Sequence, residues 1–160
     1  MGTKHIVILI ILLYIFIFPD KAKAEQITVY YLEDDNVYAS MLSQTFEIKN
    51  TYNTAEKTFI TLDKLFNSVQ NINYVPKDTK ILNVEKIGKK VYVNISGEIL
   101  SYGGGSTYEV GLVRQLLYNI FQFDETEIVS IFIENKKSYF PEGTLIYNYE
   151  KSDFLTLPDN

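Results

Sequence analysis

Behind a hydrophobic leader, the pattern of apolar and polar positions changes period several times. Gln26–Leu32, QITVYYL, is rich in β-branched and aromatic residues and reads as a strand. Glu33–Asn36 marks a turn, and the looser alternation of Tyr38–Ile48 predicts a second strand. After the break KNTYNT, residues Ala55, Phe59, Leu62, Phe66 and Val69 recur at steps of three and four, with Leu65 beside them. That spacing predicts one apolar face of an amphipathic helix near 54–70, capped by Asn53 or Thr54. Pro76 forbids its continuation. Lys80–Ile87 and Val91–Ile95 are two short strand patterns joined through Gly88, which can take the positive φ of a tight hairpin. Val110, Val113, Leu117 and Ile120, flanked by Leu116 and Phe121, share a face of a second helix near 106–122. Glu127–Ile133, EIVSIFI, predicts a further strand that ends in a turn at ENKK, and LIYNY at Leu145–Tyr149 is a candidate final edge strand. The expected fold is α+β: two layers, a mainly antiparallel or mixed sheet of about four to six strands with two amphipathic helices on one face.

The leader itself carries an address. Lys4 and His5 precede the unbroken apolar run Ile6–Phe18, which is shorter than the about 20 residues of a comfortable bilayer span. Ala22-Lys23-Ala24 then offers the small residues of a signal-peptidase site. The expectation is a signal peptide over 1–24, a single domain over 25–150 and a loose tail over 151–160. The membrane enters only if that segment is retained uncleaved. Cleavage would remove three lysines, one aspartate and the only histidine, taking the formal charge from −5 to −7. An acidic exported domain is a poor nucleic-acid ligand, because phosphate binding wants a basic face. The chain has no Cys, so neither a disulfide nor a lipidated cysteine is available, and stability has to come from the apolar core.

The most distinctive stretch is SYGGGSTYEVG, Ser101–Gly111. A Walker-type loop needs Lys after its last Gly, and Ser106 follows Gly105 instead. Tyr108 stands where both the dinucleotide fingerprint and the nucleophile elbow need Gly. With no histidine outside the leader, Ser106 lacks an imidazole base, which leaves a Ser–Lys arrangement as the formal catalytic option. The structural alternative uses more of the residues. Ser106-x-x-Glu109 reads as a capping box, with the glycines turning the chain sharply ahead of it. The same glycines could expose amide N–H groups beside a helix N-terminus, an anion or carboxylate site. No cofactor or metal is expected.

VPKDTKILNV (Val75–Val84), VYVNIS (Val91–Ser96), GGGSTYEVGLVRQLLYNIFQF (Gly103–Phe123) and EIVSIFIENKK (Glu127–Lys137) together resemble the GerMN domain, with ITVYYLEDD resembling its opening strand and turn. Gly103, Gly104, Gly105, Ser106, Glu109 and Gln115 match the hallmark in order. Asp78 stands where that family usually has Gly, FDETEIV replaces its commoner Phe-Pro approach to the last strand, and Asn135 replaces a turn Gly. The resemblance implies an α+β fold similar to ring-building domains of secretion and sporulation complexes. It also implies an exported, non-enzymatic scaffold or interaction module of the cell envelope, linked to sporulation or spore germination. Its partners would be envelope or sporulation proteins, further copies of itself, or peptidoglycan.

Two other readings compete with that one. An envelope glycan hydrolase would draw on the carboxylates Asp34, Asp35, Asp124, Glu125 and Glu127, two of which would have to face each other about 5 to 9.5 Å apart. A glycan or small-anion binding protein would use some of the 13 tyrosines as stacking surfaces.

Overall fold

In the computed structural model of the protein, residues 24–32, 41–68, 74–136 and 139–155 are described. Residues 1–23 of the leader, the turn at Glu33–Asn36, Val69 and residues 156–160 lie outside them, and so do Asp34 and Asp35. The elements run β1 (Ala24–Leu32), β2 (Met41–Lys49), α1 (Thr54–Phe66), β3 (Ile81–Ile87), β4 (Lys90–Ile95), a 3-10 turn (Gly97–Leu100), α2 (Gly105–Phe121), β5 (Ile128–Ile133), β6 (Tyr149–Glu150) and α3 (Lys151–Leu155). The α+β expectation holds, with the strands divided between two sheets: an antiparallel β1–β2 ribbon and a sheet of order β3-β4-β5-β6. Within the second sheet β3–β4 and β5–β6 are antiparallel and β4–β5 is parallel. A parallel pair needs a crossover, and α2 is the helix of that crossover.

Alternation on β4 and β5 turns Val91, Val93 and Ile95, and Val129, Ile131 and Ile133, into one core with Leu112, Leu116 and Ile120 of α2. Val29, Tyr31 and Leu32 of β1 and Leu62 and Leu65 of α1 join the same cluster. Each fully buried aliphatic side chain of this kind stabilises the fold by about 1.5–3 kcal/mol.

The hairpin turn behaves as its residues require, with Gly88 at φ +59°. Asp78 at φ +65° and Asn135 at φ +61° adopt the left-handed geometry too, which short polar side chains tolerate best after Gly. Asn53, of the two candidates, caps α1: its side chain accepts from the Glu56 amide at 3.0 Å and the Glu56 carboxylate accepts from the Asn53 amide at 2.7 Å.

Three expectations need correction. The buried face of α1 is Thr58, Thr61, Leu62 and Leu65, whereas Phe59 is 40% exposed. Thr61 satisfies its hydroxyl on the Lys57 carbonyl at 2.8 Å, so a small polar residue can sit inward. In LIYNY only Tyr149 enters β6. Asn148, at φ +58°, turns aside there, and its amide donates to the Ser130 hydroxyl at 3.0 Å instead of joining the ladder. The chain also does not loosen at 151. Residues Lys151–Leu155 form α3, and the Phe154 ring meets Tyr118 and Phe121 of α2 with centroids 4.8 and 5.5 Å away.

Candidate functional site

The glycine turn lies where the 3-10 turn after β4 hands over to α2. Gly104 is the residue that precedes the helix, with Gly105 at φ +68° as its first helical position. A Cβ on Gly104 would stand 2.8 Å from Cβ of Tyr108, whereas Gly103 and Gly105 have open space around them. The turn is roofed by aromatic rings. Tyr102 stacks on Tyr108 at 4.7 Å between centroids, Tyr74 meets Tyr108 at 5.0 Å, and Phe140 stands edge-on to Tyr102 at 6.2 Å.

The capping box expected from Ser106 and Glu109 is not formed. Because Gly105 already belongs to the helix, Ser106 lies within its first turn, exposed, and Gly104 has no side chain to cap with. Glu109 turns inward, fully buried. Its Oε1 accepts from the Tyr102 hydroxyl at 2.5 Å and the Glu142 amide at 2.7 Å, and its Oε2 accepts from the Thr144 amide at 3.2 Å. Burial by itself pushes this carboxyl up, but the donors from Thr144, Tyr102 and Glu142 outweigh it, so the group lies below the usual carboxylate range. Tyr102 is pushed well above an ordinary phenol, first by burial and then by its bond to Glu109. Tyr149 is pushed up to about 12, mainly by burial and further by the Glu109 charge.

Further along α2 the same device repeats. Gln115, fully buried, accepts the Tyr74 amide at 3.0 Å, while the Tyr74 carbonyl takes the Tyr108 hydroxyl at 2.5 Å. Asn119 exchanges two bonds with the Tyr30 backbone, both at 2.9 Å. Gln122, just past the helix, exchanges two with Thr28 at 3.2 and 2.8 Å. Residues 28 and 30 face one way on β1, and Asn119 in the last turn of α2 lies a turn before Gln122 at its C-cap. The helix amides therefore serve the open edge of β1 as a neighbouring strand would. Val110, expected on the apolar face, is 39% exposed, because Glu109 takes the inward position.

Of the motif residues, Glu109 and Gln115 are thus brought together with α2 as anchors for backbone segments at 142–144 and 74, while Gly103, Gly104, Gly105 and Ser106 form its approach. Asn119 and Gln122 carried no sequence signal beyond their helical spacing from Gln115. Among the described residues, the acidic candidates Asp124, Glu125 and Glu127 lie exposed at the surface. Glu125 is exposed and bridges Lys86 at 3.0 Å and the Thr54 hydroxyl at 3.2 Å, which together hold its carboxyl below the usual range. Glu127 pairs with Lys89 at the surface, and Asp124 is exposed. Among the described residues no group of three or more His, Asp or Glu could hold a metal ion, and no helix is long and apolar enough to cross a membrane.

A family model described as Germane, sporulation and spore germination, matches residues 28–139. No curated protein matches the sequence. Among solved structures, the tandem GerMN domains of the sporulation protein GerM from Bacillus subtilis align over 82% of this chain and 48% of that one, at TM-score 0.62 and 19% identity. The chain therefore spans about half the length of that tandem structure. The first GerMN domain of the same protein aligns over 81% of this chain and 99% of its own, at TM-score 0.62 and 18% identity. A putative lipoprotein from Clostridium perfringens aligns over 85% and 93%, at TM-score 0.56 and 16% identity. At these identities the likeness to solved structures is one of fold.

Proposed function

The chain belongs to the Germane family of sporulation and spore germination proteins, and from that premise we infer that it is an exported, non-catalytic module that scaffolds protein contacts in the cell envelope during sporulation or germination. The observation that carries this reading is the use made of α2. Glu109, Gln115 and Asn119, the buried polar side chains of α2, each hold the backbone of a different segment. The donors on Glu109 keep its carboxylate ionised at neutral pH, and the three side chains fix the segments they hold. The basic-apolar leader supports export, and β3 ends the strand order of its sheet, the position at which strand pairing with another protein or a further copy would occur.

Crosslinking in sporulating cells, followed by fractionation and identification of the captured proteins, tests the reading. Adducts with envelope proteins in the membrane or wall fraction are expected. Recovery of the chain in the cytoplasm with no envelope adduct would sink it. Light scattering over a concentration series separates the self-associating version, since a strict monomer at the highest concentration removes it. Release of soluble fragments from peptidoglycan by the purified chain, abolished by Glu125→Gln or Glu127→Gln, would instead favour the hydrolase.

A further inference from the structure

The face of the four-stranded sheet turned away from α2 has a composition that the scaffold role does not use. Where Val91, Val93 and Ile95 point into the core, Lys90, Tyr92 and Asn94 point out, and register sets Ile87, Glu85 and Asn83 opposite them on β3. On the other side β5 presents Phe132, whose ring centroid is 6.2 Å from that of Tyr92 with the planes 32° apart. Asn135 closes the end of this surface. Its amide N–H donates to Asn94 Oδ1 at 2.9 Å and its Oδ1 accepts from Asn94 Nδ2 at 2.8 Å. The left-handed backbone of Glu134 and Asn135 makes that return possible. Between these residues runs an open groove of about 260 Å³ lined by Tyr92, Phe132, Ile87, Glu85 and the three asparagines.

We propose that this groove binds a chain of β-linked N-acetylhexosamines, lying across the sheet with sugar rings against Tyr92 and Phe132. The chemistry of the lining selects that occupant. A sugar ring has an apolar C–H face that an aromatic ring can cover, and a rim of hydroxyls that planar amides and carboxylates can bind two at a time. Asn83 and Glu85 are exposed, and their side chains have no hydrogen-bond partner among the described residues. They stand ready for hydroxyl and acetamido groups. Asn94 and Asn135 hold one another, so their remaining donors are oriented in advance and less ordering is lost on binding.

Other occupants fit worse. Glu85 is the only charged lining residue, and Lys90 at the border is engaged with Asn148 at 2.6 Å and with the Tyr92 ring. A polyanion would meet the Glu85 carboxylate in the lining itself. A peptide joining by strand addition needs an edge, and the aromatic pair belongs to the interior strands β4 and β5. At about 260 Å³ the open groove falls below the roughly 300–1,000 Å³ of small-molecule sites, so it would not enclose a small ligand.

The test is a titration of the isotope-labelled full chain with chitohexaose, read as amide chemical-shift changes, with cellohexaose in parallel. Saturable shifts confined to β3, β4, β5 and residues 134–136 are expected with chitohexaose, and weaker ones with cellohexaose. The double variant Asn83→Ala/Glu85→Ala, whose side chains are exposed, should keep its melting temperature and bind about tenfold more weakly, equivalent to about 1.4 kcal/mol. Tyr92→Ala should weaken binding at least as much. No saturable shift at millimolar sugar, shifts mapping elsewhere, or a double variant that titrates like the parent would overturn the proposal. Equal response to cellohexaose would overturn the acetamido assignment. Shifts of this face that follow protein concentration without sugar would assign it to a second copy instead.

Discussion

Gly103, Gly104 and Gly105 are neighbours of identical chemistry, yet their surroundings rank them. At Gly103 neither backbone nor space opposes a methyl group, so Gly103→Ala should leave stability unchanged. Gly105→Ala places a side chain at φ +68° and should cost about 1–2 kcal/mol. Gly104→Ala drives a methyl into Tyr108 and should cost about 1–3 kcal/mol through forced repacking. Urea denaturation of the three variants checks the order, and an equal loss at all three would refute this account. Glu109 is the other decisive single residue. In Glu109→Gln one side of the group becomes an NH₂ facing an N–H or O–H donor, with an expected loss of about 2 kcal/mol by the same measurement. Its glutamate identity and spacing after the glycines were legible in the chain. Its burial was not, since a carboxylate three residues after a serine fits an exposed helix cap equally well. Only the arrival of the 142–144 segment makes the inward position the better one.

Among the elements, α2 differs from an ordinary amphipathic helix in that its inward face carries Glu109, Gln115 and Asn119 beside Leu112, Leu116 and Ile120. Hydrophobic periodicity finds the helix and its buried Val113, Leu116, Leu117, Ile120 and Phe121, but turns Val110 inward and misses the polar members of the face, because it counts amides and carboxylates as outward. Periodicity likewise put Phe59 on the inner face of α1, where Thr58 and Thr61 are buried instead. Asn119→Ala would strip the Tyr30 amide and carbonyl of their partners on the part-buried edge of β1. The expected cost is about 2 kcal/mol, with amide exchange of Tyr30 accelerating ahead of global unfolding. Gln122→Ala should act in the same direction on Thr28. At α1, Asn53→Ala removes a cap whose two bonds are both present and should cost about 1 kcal/mol. The sequence narrowed that cap to Asn53 or Thr54, and the reciprocal bonds with Glu56 select Asn53.

For the molecule as a whole, acid is the informative stress. Glu109 titrates below its unfolded value of about 4.3. Its stabilisation is therefore fully present above that pH and disappears as the pH falls through the lower folded value. Glu125 shifts in the same direction but is solvated, so its share is small. Urea midpoints measured from neutral pH down to about pH 3 should fall at the acid end, and Glu109→Gln should flatten that fall. A variant with the parent's full acid dependence would contradict the role assigned to this carboxylate. The amino-acid order by itself determined strands β1 to β5, the two long helices, the hairpin at Gly88, a cap at Asn53 or Thr54 and the family, because each is written in local spacing or in a contiguous motif. The tertiary structure alone decided that the strands form two sheets, that α2 crosses over between parallel strands, and that its polar residues point inward. Those choices depend on which backbone groups far along the chain need a partner, and the free energy of a buried polar side chain changes sign with the arrival of that partner.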